Sequence, residues 1–135
     1  MTLLNPKSCI MSTFQDNLLI EETKFLPAVD FQSNGELKIS GKIIPDHVTD
    51  FFLPLKEFVD NLNCNSVRFE INVEYINSCG LCEIMNLFHA LESNPNVKEV
   101  SAVGYYEEED EEHHEKGIIL AERFSDFRFQ YISYV

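Results

Sequence analysis

The sequence has 135 residues, 44% hydrophobic and 24% charged, which are the proportions of one globular domain. A chain this long buries roughly two thirds of its unfolded surface, so folding requires neither metal nor disulfide. Its 23 acids against 10 bases give a net charge of −13, which excludes the basic footprint of a nucleic-acid binder and disfavours an anionic membrane surface.

Residues 1–19 show no clear period and read as an N-terminal tail, with 20–135 as the folded domain. Met11 offers an alternative start, so residues 1–10 are a dispensable tail on this reading. The segment Met1 to Ile10 lacks a basic region ahead of a longer apolar run, and no apolar run approaches the roughly 20 residues of a membrane span. The expectation is a cytoplasmic protein without membrane insertion.

Phe25 to Phe31 reads as a strand that Pro27 confines to an edge or a strand end. Ser33-Asn34-Gly35 is a turn signal, and Leu37 and Ile39 then alternate with Glu36, Lys38 and Ser40, which completes a hairpin. After Pro45-Asp46, Val48, Phe51, Phe52, Leu55, Phe58, Val59 and Leu62 fall at helical spacing. Pro54 lacks an N–H and is tolerated near a first turn, which places the start at Thr49 or Asp50, either able to cap.

Ser66 to Ile76 is the clearest strand: Val67, Phe69, Ile71, Val73 and Tyr75 against Arg68, Glu70, Asn72 and Glu74. A second helix is predicted over Ser78 to Ser93, with Leu81, Ile84, Met85, Phe88 and Leu91 as its apolar stripe and Asn94-Pro95 as its stop. Val97 to Tyr106 reads as a strand, a third helix runs to about Phe124, and Phe127 to Ile132 alternates again. The order β-β-α-β-α-β-α-β implies crossover connections and a mostly parallel, mixed α/β sheet. Several strands carry one polar face, so helices are expected mainly on one side. Val67, Phe69, Ile71, Val73, Leu55, Phe58, Ile84 and Phe88 are the predicted core.

The junction Tyr75-Ile76-Asn77-Ser78-Cys79-Gly80 lies where a strand ends and a helix begins, at the carboxyl edge of the sheet. Ser78 can be an N-cap there, or a phosphoacceptor, since first-turn amides and the helix dipole favour negative charge. With no export signal, the four cysteines (Cys9, Cys64, Cys79 and Cys82) are expected as free thiols. Cys79-Gly80-Leu81-Cys82 has C-x-x-C spacing, so Cys79 and Cys82 are a redox pair or, for Cys82 near the apolar stripe, a buried structural residue.

Glu107 to Glu115 packs seven acids around His113 and His114. It reads as a solvated loop and first helical turn, or as a surface for a basic partner; a metal site lacks the spaced donors it needs. His47 and His89 have no evident catalytic companion. Phosphate-loop, hydrolase-elbow and metal signatures are missing, so a protein that is not an enzyme and carries no cofactor is expected.

Ile20-Glu21-Glu22-Thr23, Leu26-Pro27-Ala28-Val29, Gly41…Pro45-Asp46, Phe51-Phe52-Leu53-Pro54, Glu74-Tyr75-Ile76-Asn77-Ser78 and Tyr105-Tyr106 before the acidic run and Gly117 together resemble the SiaC-type family of bacterial regulatory phosphoproteins. The resemblance spans about residues 20–132 and implies a STAS-like fold and a partner switch. In that switch a kinase phosphorylates the hydroxyl residue after the strand-end Asn, and a PP2C-type phosphatase removes the phosphate. The unphosphorylated protein binds and activates a diguanylate cyclase, which makes cyclic di-GMP. Carried over, the acceptor is Ser78 and its neighbours are Asn77, Cys79 and Gly80. The family's usual Asn-Thr-Ser-Ser stands here as Asn77-Ser78-Cys79-Gly80, and Gly104 replaces a frequent Trp.

Overall fold

In a computed structural model of the chain, residues 16–43 and 48–135 are described. Cys9, Pro45, Asp46 and His47 lie outside them. The alternating segments become strands and the periodic ones helices: β1 (Leu18–Ile20), β2 (Ala28–Phe31), β3 (Glu36–Ile43), α1 (Val48–Asp60), β4 (Ser66–Ile76), α2 (Ser78–Ser93), β5 (Glu99–Glu107), α3 (Glu111–Arg123) and β6 (Arg128–Tyr134). The six strands form one sheet in chain order. β1, β2 and β3 pair antiparallel; β3, β4, β5 and β6 pair parallel. This mixed α/β arrangement is consistent with the STAS-like expectation.

Each parallel pair is joined through a helix, and right-handed crossovers in sequential order place every helix on one side. Residues of α1, α2 and α3 accordingly share one core with the inward side chains of the strands. The opposite face is polar: Lys38, Ser40, Arg68, Asn72 and Glu74 are exposed on it. Tyr105 donates to Glu70 there at 3.2 Å, and partial burial followed by the Glu70 carboxylate pushes its phenol above the ordinary value.

The predicted core residues are buried, except Ile71, which is half-buried against the same cluster. Phenylalanine supplies the continuity. Phe31 meets Phe69 edge-on at 5.7 Å, Phe69 meets Phe88 at 5.5 Å, and Phe88 meets Phe124 at 5.2 Å. This chain of rings runs from β2 through β4 and α2 to the end of α3. Asn94, the buried C-cap of α2, donates to Val59 O at 3.0 Å and Leu62 O at 2.8 Å, which fastens the ends of α1 and α2 together.

Three local expectations are corrected. Leu18–Ile20 forms a strand that pairs β2, so the sheet begins inside the segment read as a tail. Three residues are too few to show a period. The strand read over Phe25 to Phe31 starts only at Ala28, because Pro27 cannot donate to a ladder. Helix α1 begins at Val48, so Thr49 and Asp50 lie in its first turn rather than ahead of it, and Pro54 is the seventh residue. Pro54 is exposed, and the Asp50 carbonyl that it leaves without an N–H is on an exposed residue too.

The bulge that ends β3 matters for the site. Gly41 pairs Val73 but Lys42 pairs Tyr75, so β4 holds one extra residue at Glu74. Gly41 has φ +123, a conformation that side-chain-bearing residues rarely adopt. The shift returns Ile76 to the buried row, where it pairs Ile43. Truncating Phe69 to Ala is expected to cost roughly 3–5 kcal/mol. Urea unfolding monitored by circular dichroism reads this directly, and an unchanged midpoint would contradict the ring network.

Candidate functional site

Strand β4 leaves the sheet at Ile76, and the next residue caps α2. Asn77 is extended at φ −95 and ψ −177, and its Oδ1 accepts from Gly80 N at 2.8 Å. Its carbonyl takes the first intrahelical bond, from Leu81 N at 2.9 Å. The cap is therefore Asn77, not Ser78. Both side chains can cap; the choice falls on residue 77 because β4 ends one residue before it. Ser78 becomes the first helical residue, exposed, and its hydroxyl has no hydrogen-bond partner among the described residues.

Gly80 is buried at the base of this turn. A Cβ there would meet Ile43 Cγ2 at 2.9 Å and Ile76 Cγ1 at 3.0 Å. The helix start thus sits directly on the ends of β3 and β4, an approach that any Cβ at this position would crowd. The turn has a rigid floor and an open top.

Cys79 and Cys82 are both exposed free thiols. Cys82 is not the buried structural residue that its nearness to the apolar stripe allowed, because the stripe faces inward through Ile84, Leu87, Phe88 and Leu91. Cys64 is half-buried, and burial pushes its thiol pKa up.

The acidic run divides between the end of β5, a turn, and the start of α3. Asp110 caps α3, accepting from His113 N at 3.0 Å, and Glu111 and Glu112 fill the first turn, where the dipole favours acids. Both histidines are half-buried, and His113 Nδ1 lies 4.0 Å from Asp110 Oδ2. His114 stacks on Tyr106 at 4.6 Å, and burial pushes the His113 pKa down. Among the described residues no cluster of three His, Cys, Asp or Glu side chains is placed to hold a metal ion. His89 is exposed, 3.2 Å from Glu92 and with its ring against Phe124.

Two features went unseen in the sequence. Tyr131 lies between Gly104 of β5 and Gly117 of α3; a Cβ on either would come within 2.9 Å or less of its ring. Its hydroxyl donates to Gly117 O, and burial pushes its pKa up to about 12. Gly104 in place of a larger residue is what admits this ring. The other is Lys116, whose Nζ donates to Ile76 O at 2.6 Å. Lys116 and Gly117 line an apolar cavity of about 40 Å³ with Ile76, Leu81 and Phe129. Small-molecule sites run about 300–1,000 Å³, so this one has no room for a nucleotide.

A single α/β domain with a six-stranded mixed sheet and its helices on one side is consistent with the STAS-like fold class. The chain belongs to the SiaC family of regulatory phosphoproteins, whose family model matches residues 20–134. It is similar in fold to a chain in the crystal structure of the diguanylate cyclase SiaD in complex with its activator SiaC from Pseudomonas aeruginosa (TM-score 0.76, 20% identity, covering 87% of this chain and 99% of that one). SiaC of Pseudomonas aeruginosa aligns with a TM-score of 0.71 at 20% identity, over 89% of this chain and 100% of the other. Apo-SiaC from the same organism gives 0.66 at 19% identity, over 90% and 100%. No curated protein matches by sequence. Among the described residues no helix is long and apolar enough to cross a membrane.

The cap assignment predicts opposite outcomes at adjacent positions. Asn77→Ala should lose about 1 kcal/mol, while Ser78→Ala should stay within about 0.5 kcal/mol of the parent in thermal or urea unfolding. Equal losses would return the capping role to Ser78. Exposure and pKa together predict that brief alkylation near pH 8 labels Cys79 and Cys82 before Cys64, since a raised pKa leaves less thiolate at that pH. Peptide mass spectrometry reads the order.

Proposed function

We propose that this protein is a non-enzymatic, cytoplasmic regulatory phosphoprotein that binds and controls a diguanylate cyclase in its unphosphorylated state, with Ser78 as the phosphoacceptor. A protein kinase adds the phosphate and a PP2C-type phosphatase removes it. The observation that carries this reading is the exposed Ser78 hydroxyl, left uncommitted because Asn77 supplies the cap. Family membership supports the regulatory role, and the fold shared with SiaC, described as the activator of SiaD, supports the choice of partner.

The physical logic is electrostatic. Phosphate adds about −1.5 to −2 charges at neutral pH. At the first position of a helix the dipole accommodates that charge, so the domain stays folded. The chain already carries −13, and a dianion on the presented turn repels an acidic patch and resists burial in an apolar interface. One modification then ends binding without unfolding the domain.

Calorimetry against a purified diguanylate cyclase tests this with Ser78→Ala and Ser78→Asp. Ser78→Ala should bind like the parent, and Ser78→Asp roughly tenfold more weakly, about 1.4 kcal/mol. Neither substitution touches the cap, so a loss reports the interface rather than the fold. Mass spectrometry of the native protein should find phosphate on Ser78; its consistent absence, with Ser78→Asp binding normally, would leave a STAS-like binding module without phosphorylation.

A further inference from the structure

Ladder pairing of β4 with β5 ends at Ile71↔Gly104, yet β4 continues to Ile76 and β5 to Glu107. The two strands part, and the last residues of β4 lose their neighbour on that side. β3 still holds the other edge, through Ile43↔Ile76. Into the gap reaches one side chain from α3: Lys116 donates to Ile76 O at 2.6 Å across 40 residues of sequence. Its side chain is only 20% exposed. It also donates to Glu112, at 3.3 Å, and His113 is the further titratable group that feels its charge. Lys116 is also the sole Lys or Arg between Lys98 and Arg123.

We infer that Lys116 is the positioning residue of the Ser78 turn, and the counter-charge that a phosphate on Ser78 meets. The inference rests on the reading of Ser78 as the modified residue. A methionine would fill the path of the lysine stem equally well; what the ammonium adds is a bond to a strand-end carbonyl that the ladder no longer serves. Fixing Ile76 fixes Asn77 next to it, and with it the cap and the direction in which Ser78 is presented. Ser78 follows Ile76 by two residues, so their Cα atoms lie within about 7.6 Å. A phosphate dianion that comes within reach of the ammonium is a stronger acceptor than a neutral carbonyl, and an ammonium has three rotatable donors to share. Lys116 therefore steadies the turn in one state and neutralises part of the new charge in the other.

The test needs no kinase and no cyclase. Phosphoserine is installed at position 78 by genetic-code expansion in the parent, Lys116→Met and Lys116→Arg proteins, and its second ionisation is followed by phosphorus NMR. A phosphoserine ionises near pH 6. Pairing with Lys116 should hold the parent below the Lys116→Met midpoint by about half a pH unit, with Lys116→Arg near the parent. In the unmodified proteins, Lys116→Met should speed amide exchange at Gly80 and Leu81 several-fold, and Lys116→Arg should restore protection. Amide exchange across β4 away from the turn reports whether each variant is folded. Equal phosphorus midpoints, or exchange at the turn that does not respond to Lys116→Met, would overturn the inference. If the cyclase does not bind, or Ser78 is not modified in cells, the partner reading fails while these results stand.

Discussion

The edge-on contact between Phe69 of β4 and Phe88 of α2, with ring centroids 5.5 Å apart, is the constraint on which the rest depends. β4 is the longest strand and is flanked by parallel neighbours, so the helix that follows it must fold back over it. Phe88 then contacts Phe124, Phe127 and Phe129, which draws the end of α3 and the start of β6 onto the same centre. With the middle of α2 held by these rings and its far end by Asn94, its first turn has one place to be: over the end of β4. The position of Ser78 is a consequence of core packing.

One-sided burial divides labour between the two faces. The buried side chains of strands and helices share the inward face, while Ile118 and Ile119 of α3 stay exposed, and the outward face of the sheet carries Lys38, Arg68, Glu70, Asn72 and Glu74. Ion pairs there, such as Lys38–Glu70 at 3.8 Å, are partly exposed and contribute little to stability. The weaker junction is at β5, where the strand separates from β4 and α3 packs over glycines. Tyr131 fills the space between Gly104 and Gly117, and Lys116 closes the polar end. These two side chains tie α3 to the sheet at the same edge that presents Ser78.

How legible this was follows from the range of each interaction. β4 and α2 were readable to the residue, because strict alternation from Val67 to Val73 gives way at once to a helical stripe, and Asn94-Pro95 ends it. β1 was not, since Leu18–Ile20 acquires its strand geometry only from β2. The cap is ambiguous by one residue in the sequence: Asn77 and Ser78 are equally competent, and only the end of β4 at Ile76 decides between them. Lys116 was invisible because its partner lies 40 residues away. The lone lysine beside an acidic stretch was the available signal.

Placing the cap on Asn77 rather than Ser78 changes what a modification can do. If the serine hydroxyl held the first turn, esterifying it would remove a hydrogen bond and loosen α2, so signal and stability would be the same variable. With Asn77 accepting from Gly80 N at 2.8 Å, the turn keeps its bond whether residue 78 carries a hydroxyl or a dianion. On the proposed reading, a charge added at residue 78 would leave this capping bond in place and alter what can dock there. Gly80 completes the separation: seated on Ile43 and Ile76, it anchors the turn from beneath and is buried, whereas Ser78 is exposed.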